Sequence, residues 1–310
     1  MSSRSPEDAE PYFQQGPVRV IFGERRGGYP DGNSLVVAGE KETLLIDPAL
    51  GLRRDPAALP EIDRVLLSHC HEDHTAGLSL FPEAPVHVHA LDRPGLESLD
   101  DMLAIYGYGG PIGKTFRKVL VERFHYAPRP DAQAYADGDV FDAGGVRVRV
   151  HHAPGHTRGH SCLMVEWKEG GAERRLLYLG DIELTGFGPY YGDAWSDLED
   201  FERSLAWVRS VEADWYATFH HIGVLQGKAA FLERLDIFEG AIARRENQLL
   251  EYLAEPHDIE EVVEHRFVYR PKDDVVFAGA VERRSMQQHI DRLVAAGRVR
   301  AAGDGRYQIT

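Results

Sequence analysis

The stretch SHCHEDH, residues 68–74, directly follows an apolar run that predicts a buried β-strand. It holds three histidines and one aspartate. A tight loop at a strand end can direct several side chains toward one point, and neutral imidazoles and carboxylates are ligands for metal ions. The alternate positions His69 and His71 are expected to share one ion. Asp73 and His74 are expected to reach a second ion.

Three further candidate ligands lie downstream, each near the end of a predicted strand. His156 follows a Pro-Gly turn in APGHTRGHS, and Asp181 ends the apolar run LLYLGD, where a carboxylate can bridge two cations. In ATFHHIGVL, strand alternation would turn neighbouring rings in opposite directions, so one of His220 and His221 is expected to bind. The sequence does not decide between them, although the apolar pair that follows slightly favours His221.

The other histidine and cysteine residues near these motifs receive structural interpretations. His160 is expected either to be structural or to hydrogen-bond a metal ligand. Cys70 lies between two candidate ligands, and Cys162 lies in an apolar strand, so both are expected to pack in the interior. Two cysteines are too few for a disulfide framework.

Composition narrows the class of protein and of partner. The chain has 310 residues, 43% of them hydrophobic, and a formal net charge of −15. An acidic surface repels phosphate backbones, so nucleic acid is not the expected partner. The first residues contain no apolar segment typical of a signal peptide, and no apolar run is long enough to span a membrane. A cytoplasmic enzyme with a small-molecule substrate is therefore expected, and a homodimer stays open.

Two regions with different patterns follow from the order of the predicted elements. Residues 1–228 contain short apolar runs separated by glycines and charged turns, with strands outnumbering helices in two similar batches. This pattern predicts a layered α+β sandwich. Residues 229–310 begin with a long amphipathic helix, continue with two more helices and end in a hairpin turning at 303–305. Helices followed by a hairpin predict a small winged-helix-like domain.

The combined order HxHxDH, PGHT, a Gly-Asp strand end and a late histidine resembles the metallo-β-lactamase superfamily over about residues 17–228. The resemblance implies a four-layer αββα sandwich with the metal site at one edge. It implies that Asp47, in LLIDP, supports the site without binding metal. The chain departs from glyoxalase-like members in its last motif, where His-His-Ile stands in place of Gly-His-Gly.

The same resemblance implies a division of the ligands between two ions. The first ion would be held by His69, His71 and His156. The second ion would be held by Asp73, His74 and the late histidine. Asp181 would bridge the two ions. Zinc is the expected metal, with iron and manganese left open because the spacing does not choose among them.

Two divalent ions held close together can bind a bridging hydroxide that attacks an electrophilic centre, so a hydrolase is expected. Asp73 is expected to orient this nucleophile or to shuttle its proton. The expected substrate carries an acyl bond, as in a thioester, a lactone or a related small molecule. The alternative is an endoribonuclease of the same fold acting on single-stranded RNA, which a basic groove along the metal edge would favour.

Several aromatic residues are candidate pocket walls, with loop packing as the alternative: Tyr106, Tyr108, Phe187, Tyr190 and Tyr191. The C-terminal domain is expected to cap the edge of the site or to mediate dimer contacts rather than to bind nucleic acid.

Overall fold

The computed structural model describes residues 11–273 and 275–310 of the chain. Two sheets form its centre. The first has seven strands in the order of the sequence, antiparallel through the fourth and parallel from the fourth onward. These strands are β1 (Tyr12–Gln15), β2 (Val18–Ile21), β3 (Ser34–Ala38), β4 (Thr43–Ile46), β5 (Arg64–Leu66), β6 (Val86–His89) and β7 (Gln133–Tyr135).

The second sheet has six strands in the order β13-β12-β11-β10-β9-β8. All neighbours are antiparallel except β11 and β12, which run parallel. The strands are β8 (Val140–Asp142), β9 (Val146–His152), β10 (Ser161–Glu169), β11 (Ala172–Tyr178), β12 (Trp215–Ala217) and β13 (Val224–Gln226).

Alternating apolar residues join the two sheets face to face. In β2, Val18 and Val20 are fully buried while Arg19 between them is exposed. In β9, the buried Val146 and Val148 flank an exposed arginine in the same way. Because side chains of a strand point to opposite faces in turn, each strand presents one apolar row to the space between the sheets. These rows form one continuous core.

Helices cover the outer face of each sheet. On the first sheet lie α2 (Leu99–Tyr106) and α3 (Gly110–Glu122), and on the second lie α4 (Leu198–Ser210) and α5 (Lys228–Tyr252). The result is an αββα arrangement, which confirms the predicted α+β sandwich. One short helix, α1 (Glu72–Thr75), lies at the sheet edge within the histidine motif. No helix among the described residues is both long and apolar enough to cross a membrane.

The C-terminal unit contains two more helices and a small sheet. They are α6 (Ile259–His265), α7 (Ala278–Ala295) and the strands β14 (His257–Asp258), β15 (Val299–Gly303) and β16 (Arg306–Ile309), in the order β14-β16-β15. The predicted hairpin at 303–305 is confirmed by the pairing of β15 with β16.

Helix α5 belongs to both parts of the chain. Phe231 and Leu235 in its first half pack on the second sheet. Leu249, near its end, packs with α7 residues in a separate cluster of the C-terminal unit. The predicted boundary between residues 228 and 229 thus falls at the start of a helix that connects the two cores.

Helix α7 holds a loop of the sandwich in place. The Tyr191 hydroxyl lies 2.8 Å from Nε2 of the buried His289. Gln288 donates a hydrogen bond of 3.0 Å to the Tyr191 carbonyl, and Arg284 donates one of 3.3 Å to the carbonyl of Gly192. These contacts fix the loop at 190–193 against the C-terminal unit.

A buried carboxylate organises the segment that leads into α7. Glu282 is fully buried, and its oxygens accept hydrogen bonds from three consecutive backbone N–H groups. The donors are Phe267 at 3.0 Å, Val268 at 3.0 Å and Tyr269 at 2.7 Å. One side chain thus satisfies three N–H groups that a strand partner would satisfy in a sheet.

We expect Glu282→Ala to lower the free energy of unfolding by about 2–3 kcal/mol, because it leaves buried backbone donors without an acceptor. Urea denaturation followed by circular dichroism measures the change. The control is Glu264→Ala, which removes an exposed carboxylate from α6. Equal effects of the two substitutions would contradict the role given to Glu282.

Candidate metal centre

The predicted ligands are carried by loops that follow strands, and the loops meet at one edge of the sandwich. The histidine motif follows β5, His156 lies between β9 and β10, Asp181 follows β11 and His220 follows β12. His71 begins helix α1 with an extended backbone, at φ −60° and ψ 157°. This bend separates the first two histidines of the motif from the last two ligands.

Four side chains form the first group of donor atoms: His69, His71, His156 and Asp181. Nδ1 of His71 lies 3.1 Å from Nε2 of His69 and 2.9 Å from Nε2 of His156. Nε2 of His156 is also 3.2 Å from Oδ2 of Asp181. All four residues are buried, so these contacts are shielded from solvent.

The second group consists of Asp73, His74 and His220. Nε2 of His220 lies 3.0 Å from Oδ2 of Asp73. Nε2 of His74 lies 2.9 Å from Oδ1 of Asp181, whose other oxygen faces the first group. Asp181 therefore lies between the two groups, with one carboxylate oxygen toward each.

Each histidine is oriented by an acceptor on its outer nitrogen. The acceptors are Ser68 Oγ for His69 at 3.1 Å, Asp47 Oδ2 for His74 at 2.8 Å, the Tyr190 carbonyl for His156 at 3.1 Å and the Gly27 carbonyl for His220 at 2.7 Å. The outer nitrogen of His71 faces Oδ2 of Asp193 at 3.2 Å. A proton held on the outer nitrogen leaves a lone pair on the inner one, which is what a metal ion requires.

This donor set fits metal ions. Nδ1 of His71 lies about 3 Å from Nε2 of both His69 and His156, and a single proton on His71 can serve only one of these two neighbours. A cation among the three nitrogens would accept all three lone pairs at once. Nε2 of His71 and Oδ2 of Asp193 are both buried, and they do not form a well-aligned hydrogen bond with each other. Their contact is therefore mainly electrostatic.

Asp47 supports the centre from behind, as the family resemblance implied. Its oxygens accept from the Ser68 backbone N–H at 2.7 Å, the Ser68 hydroxyl at 2.5 Å and the Tyr178 hydroxyl at 2.7 Å. The same carboxylate faces Nδ1 of His74. One buried aspartate thus ties the start of the histidine motif to β11 and orients one of its rings.

His160 has the second of its two expected roles. Its Nδ1 donates to the Ala153 carbonyl at 2.9 Å, and its Nε2 accepts from the backbone N–H of Asp181 at 3.1 Å. Gly180, at φ +53°, allows this approach, since a Cβ there would lie 2.6 Å from the His160 nitrogen. The histidine therefore fixes the backbone that presents the Asp181 carboxylate.

The leaning toward His221 is corrected by the structure. His220 is 2% exposed and joins the donor group, whereas the side chain of His221 is 45% exposed and its Nε2 lies 3.9 Å from Glu183. The alternation of side chains along a strand does not extend to these two histidines, because β12 already ends at Ala217. His221 instead adopts a left-handed backbone conformation at φ 61°, which turns its ring away from the donors.

Three acidic residues of the site were missed by sequence reasoning. Glu72, within the histidine motif, accepts from the hydroxyls of Tyr29 at 3.0 Å and Tyr106. Glu183 forms a donor group with Asp181 and His220, and Asp193 faces His71. In the sequence, a single feature could have identified Glu183 and Asp193 as site residues: both follow shortly after the Gly-Asp strand end.

The pKa values of the metal-free centre follow from these contacts. Burial alone would lower the pKa of His220, but the carboxylates of Asp181 and Asp73 outweigh it and raise that pKa to about 10. Burial is likewise outweighed for His71, whose pKa Asp193 raises to about 9. Burial raises the pKa of Glu183 to about 7, and the charge of Asp181 contributes to this rise.

A cavity of about 550 Å³ opens onto both donor groups. Its size is typical of a pocket for a small molecule. Four of the five predicted wall residues line it, namely Tyr106, Tyr108, Phe187 and Tyr190. Tyr191 does not line the cavity, because its ring is buried against α7. Among the described lining residues, Arg123 is the single Lys or Arg side chain.

The comparison with protein families agrees with this geometry. The model of the metallo-beta-lactamase superfamily matches residues 27–221, well over half of the chain. The chain therefore belongs to the metallo-β-lactamase superfamily. The resemblance inferred from the motifs is confirmed.

Two curated relatives are thioesterases by name. The chain is 28% identical over 207 residues to atrochrysone carboxyl ACP thioesterase of Aspergillus fumigatus, covering 63% of this chain and 52% of that protein. It is 28% identical over 187 residues to the acyl-coenzyme A thioesterase MBLAC2 of Gallus gallus, covering 54% and 64% respectively. The matches thus span between half and two thirds of the length of these relatives.

A solved structure extends the likeness to the C-terminal unit. A metallo-beta-lactamase family protein from Thermus thermophilus superposes with a TM-score of 0.67 at 22% identity, covering 95% of this chain and 99% of that chain. At this identity the likeness concerns the fold. The C-terminal unit is part of that shared fold, because the coverage extends well beyond the sandwich.

We expect His220→Ala to lose bound metal, because it removes a buried donor, and His221→Ala to keep the metal content of the unchanged protein. Elemental analysis after gel filtration measures both. The two neighbours form a matched pair, since each substitution removes one imidazole at adjacent positions. If only His221→Ala lost metal, His221 would be the ligand and the assignment of His220 would be contradicted.

Metal loading is expected to release protons. Below pKa values of about 9 for His71 and about 10 for His220, these rings are protonated in the metal-free protein, and a metal ion binds only the neutral ring. Zinc affinity should therefore rise with pH through the neutral range. Titration calorimetry in two buffers of different ionisation enthalpy counts the protons. A binding enthalpy independent of the buffer would contradict the raised pKa values.

Proposed function

We propose that this protein is a dinuclear metal-dependent thioesterase. His69, His71 and His156 would hold one divalent cation. The second cation would be held by Asp73, His74 and His220, with Asp181 shared between the two. Support comes from the position of Asp181, whose two oxygens lie 3.2 Å from His156 and 2.9 Å from His74. Zinc is the proposed metal, and elemental analysis distinguishes it from iron and manganese.

When bound, the cations supply a hydroxide nucleophile at neutral pH and polarise the substrate carbonyl. The residues of the chain hold this chemistry in place. The outer acceptors Asp47, Asp193 and the Tyr190 carbonyl hold a proton on the outer nitrogen of three rings and fix the direction in which each inner nitrogen points. Asp73 carries a carboxylate at the cavity wall, 3.0 Å from His220, where it can orient the attacking water.

The reaction is the hydrolysis of a thioester. The oxygen of water forms a bond to the carbonyl carbon, and the bond from that carbon to sulfur breaks. A proton of the water ends on the departing sulfur, so the products are a carboxylic acid and a thiol. Glu183, beside Asp181 and His220 at the cavity wall, is placed to hold a proton during this exchange.

The cavity lining is the observation that carries the choice of an acyl substrate. Binding RNA requires cations along the path of the phosphates. The cavity offers Arg123 as a cation against the carboxylates of Glu72, Glu183 and Asp193, and apolar and aromatic side chains form much of the remaining wall. Such a wall favours an uncharged acyl group. The names of the two thioesterase relatives support the same choice.

We propose that the C-terminal unit is a winged-helix-like domain, with the hairpin β15-β16 as its wing, and that it serves the active site. It carries Tyr269 and Phe277 to the cavity wall. It also holds the loop at 190–193. The proposed role is the capping of the active-site edge.

We expect the metal-loaded protein to hydrolyse acyl-coenzyme A thioesters and to leave single-stranded RNA intact. His156→Ala should lower kcat/KM by about 100-fold or more, because it removes a donor of the first group. The control is His265→Ala, an exposed histidine of the C-terminal unit. Release of free thiol, followed with a thiol reagent, measures the rate. Cleavage of RNA without thioester hydrolysis would favour the alternative function.

A further inference from the structure

Two chemically different sets of side chains line the cavity. One set consists of carboxylates and imidazoles at the donor groups, such as Asp73, Asp181 and His220. The other set, called the apolar end here, has no polar side-chain atoms: Ile112, Phe116 and Val119 from α3, and Val275, Val276 and Phe277 from the segment before α7. The sandwich and the C-terminal unit therefore each supply one wall of the apolar end.

Helix α3 presents one face to this cavity. Ile112, Phe116 and Val119 are spaced by four and three residues, so they lie on the same side of the helix. Lys114 and Lys118 are exposed on other sides of the helix. The charges of α3 thus stay outside, and the wall it gives to the cavity is hydrocarbon except for Thr115 and, beyond the helix end, Arg123.

Three aromatic rings join the two walls. The ring of Tyr108 stacks on Phe277, with centroids 5.6 Å apart and planes at 14°. Phe116 meets both rings edge-on, at 5.2 Å from Tyr108 and 5.9 Å from Phe277. Offset stacking and edge-to-face contacts are favourable arrangements for aromatic rings. They give the apolar end a preformed wall that one residue of the C-terminal unit completes.

Apolar side chains at the rim of the cavity remain open to solvent. Val276 is 63% exposed, Tyr29 41% and Phe187 38%, and all three line the cavity. Exposed apolar surface that borders a concave site is typical of a surface that a ligand covers. A bound hydrocarbon would remove this surface from water, which is a favourable change.

The apolar end fits a hydrocarbon better than it fits the polar half of a thioester substrate. A coenzyme A or pantetheine arm carries amides and phosphates, and burying an amide without a hydrogen-bond partner is unfavourable. Ile112, Val276 and Phe277 offer no side-chain partner. The hydrocarbon part of the acyl group has no such requirement.

We propose that the apolar end of the cavity binds the hydrocarbon chain of the acyl group and makes the enzyme selective for medium and long acyl chains. The proposal rests on the proposed thioesterase function. The carbonyl lies at the donor groups, the chain runs along α3 toward Phe277, and the thiol-bearing half leaves through the mouth. The C-terminal unit is then a specificity wall of the active site.

The test is the ratio of kcat/KM for lauroyl-coenzyme A to that for acetyl-coenzyme A. In the unchanged protein, lauroyl-coenzyme A is the better substrate. Val276→Asp introduces a charge into the apolar wall at an exposed position where folding is not at risk, and it lowers the ratio by about tenfold. The matched control is Val294→Asp, at a 42% exposed valine of α7 outside the cavity, which leaves the ratio unchanged.

A binding measurement is independent of turnover. S-dodecyl-coenzyme A is a thioether without a carbonyl, so it is not hydrolysed. Its Kd, measured by titration calorimetry, rises about tenfold in Val276→Asp and stays at the original value in Val294→Asp. Phe277→Ala, which opens the aromatic wall, weakens binding of the same probe.

The outcomes separate the two proposals. If the metal-loaded protein hydrolyses no acyl-coenzyme A of any chain length, the proposed thioesterase function is overturned. If it hydrolyses thioesters but prefers acetyl-coenzyme A, the function stands and the acyl-chain site is overturned. The acyl-chain site is also overturned if Val276→Asp and Val294→Asp change the ratio and the Kd equally.

Discussion

The constraint on which this structure depends is the burial of five imidazole rings and two carboxylates at one sheet edge. Buried polar groups are costly unless each finds a partner, and the inner nitrogens face one another. The outer nitrogens are therefore committed to acceptors on other elements. Asp47 shows the principle: its carboxylate links the Ser68 backbone, the Tyr178 hydroxyl and the His74 ring, so that two strands and the metal site are fixed by one group.

The same constraint connects the C-terminal unit to the candidate metal centre. The loop at 190–193 supplies two of the outer partners, the Tyr190 carbonyl for His156 and the Asp193 carboxylate for His71. Helix α7 holds that loop through His289, Gln288 and Arg284. A unit that sequence patterns alone would separate thus fixes the orientation of two metal-site histidines and completes the cavity wall.

Charge and polarity around the cavity separate chemistries that one metal centre could serve. A bound cation pair can activate water for attack on either a phosphorus or a carbonyl centre. The protein around it selects the substrate. Acidic residues near the donor groups disfavour an anionic polymer, and the apolar wall between α3 and Phe277 favours a hydrocarbon. Fold alone would not distinguish these possibilities, because function is determined at the site.

Local patterns in the sequence were enough to predict the strands with alternating apolar residues, the histidine motif after β5, and the candidate donors His156 and Asp181. The order of the motifs along the chain was specific enough to indicate the family without the structure. Only the tertiary structure chose His220 over His221, because the choice depends on a left-handed backbone at φ 61° that alternation does not predict. It alone brought Asp193 to His71 and Phe277 to Tyr108. Residues far apart in the chain meet through packing of whole layers, and no local periodicity encodes such contacts.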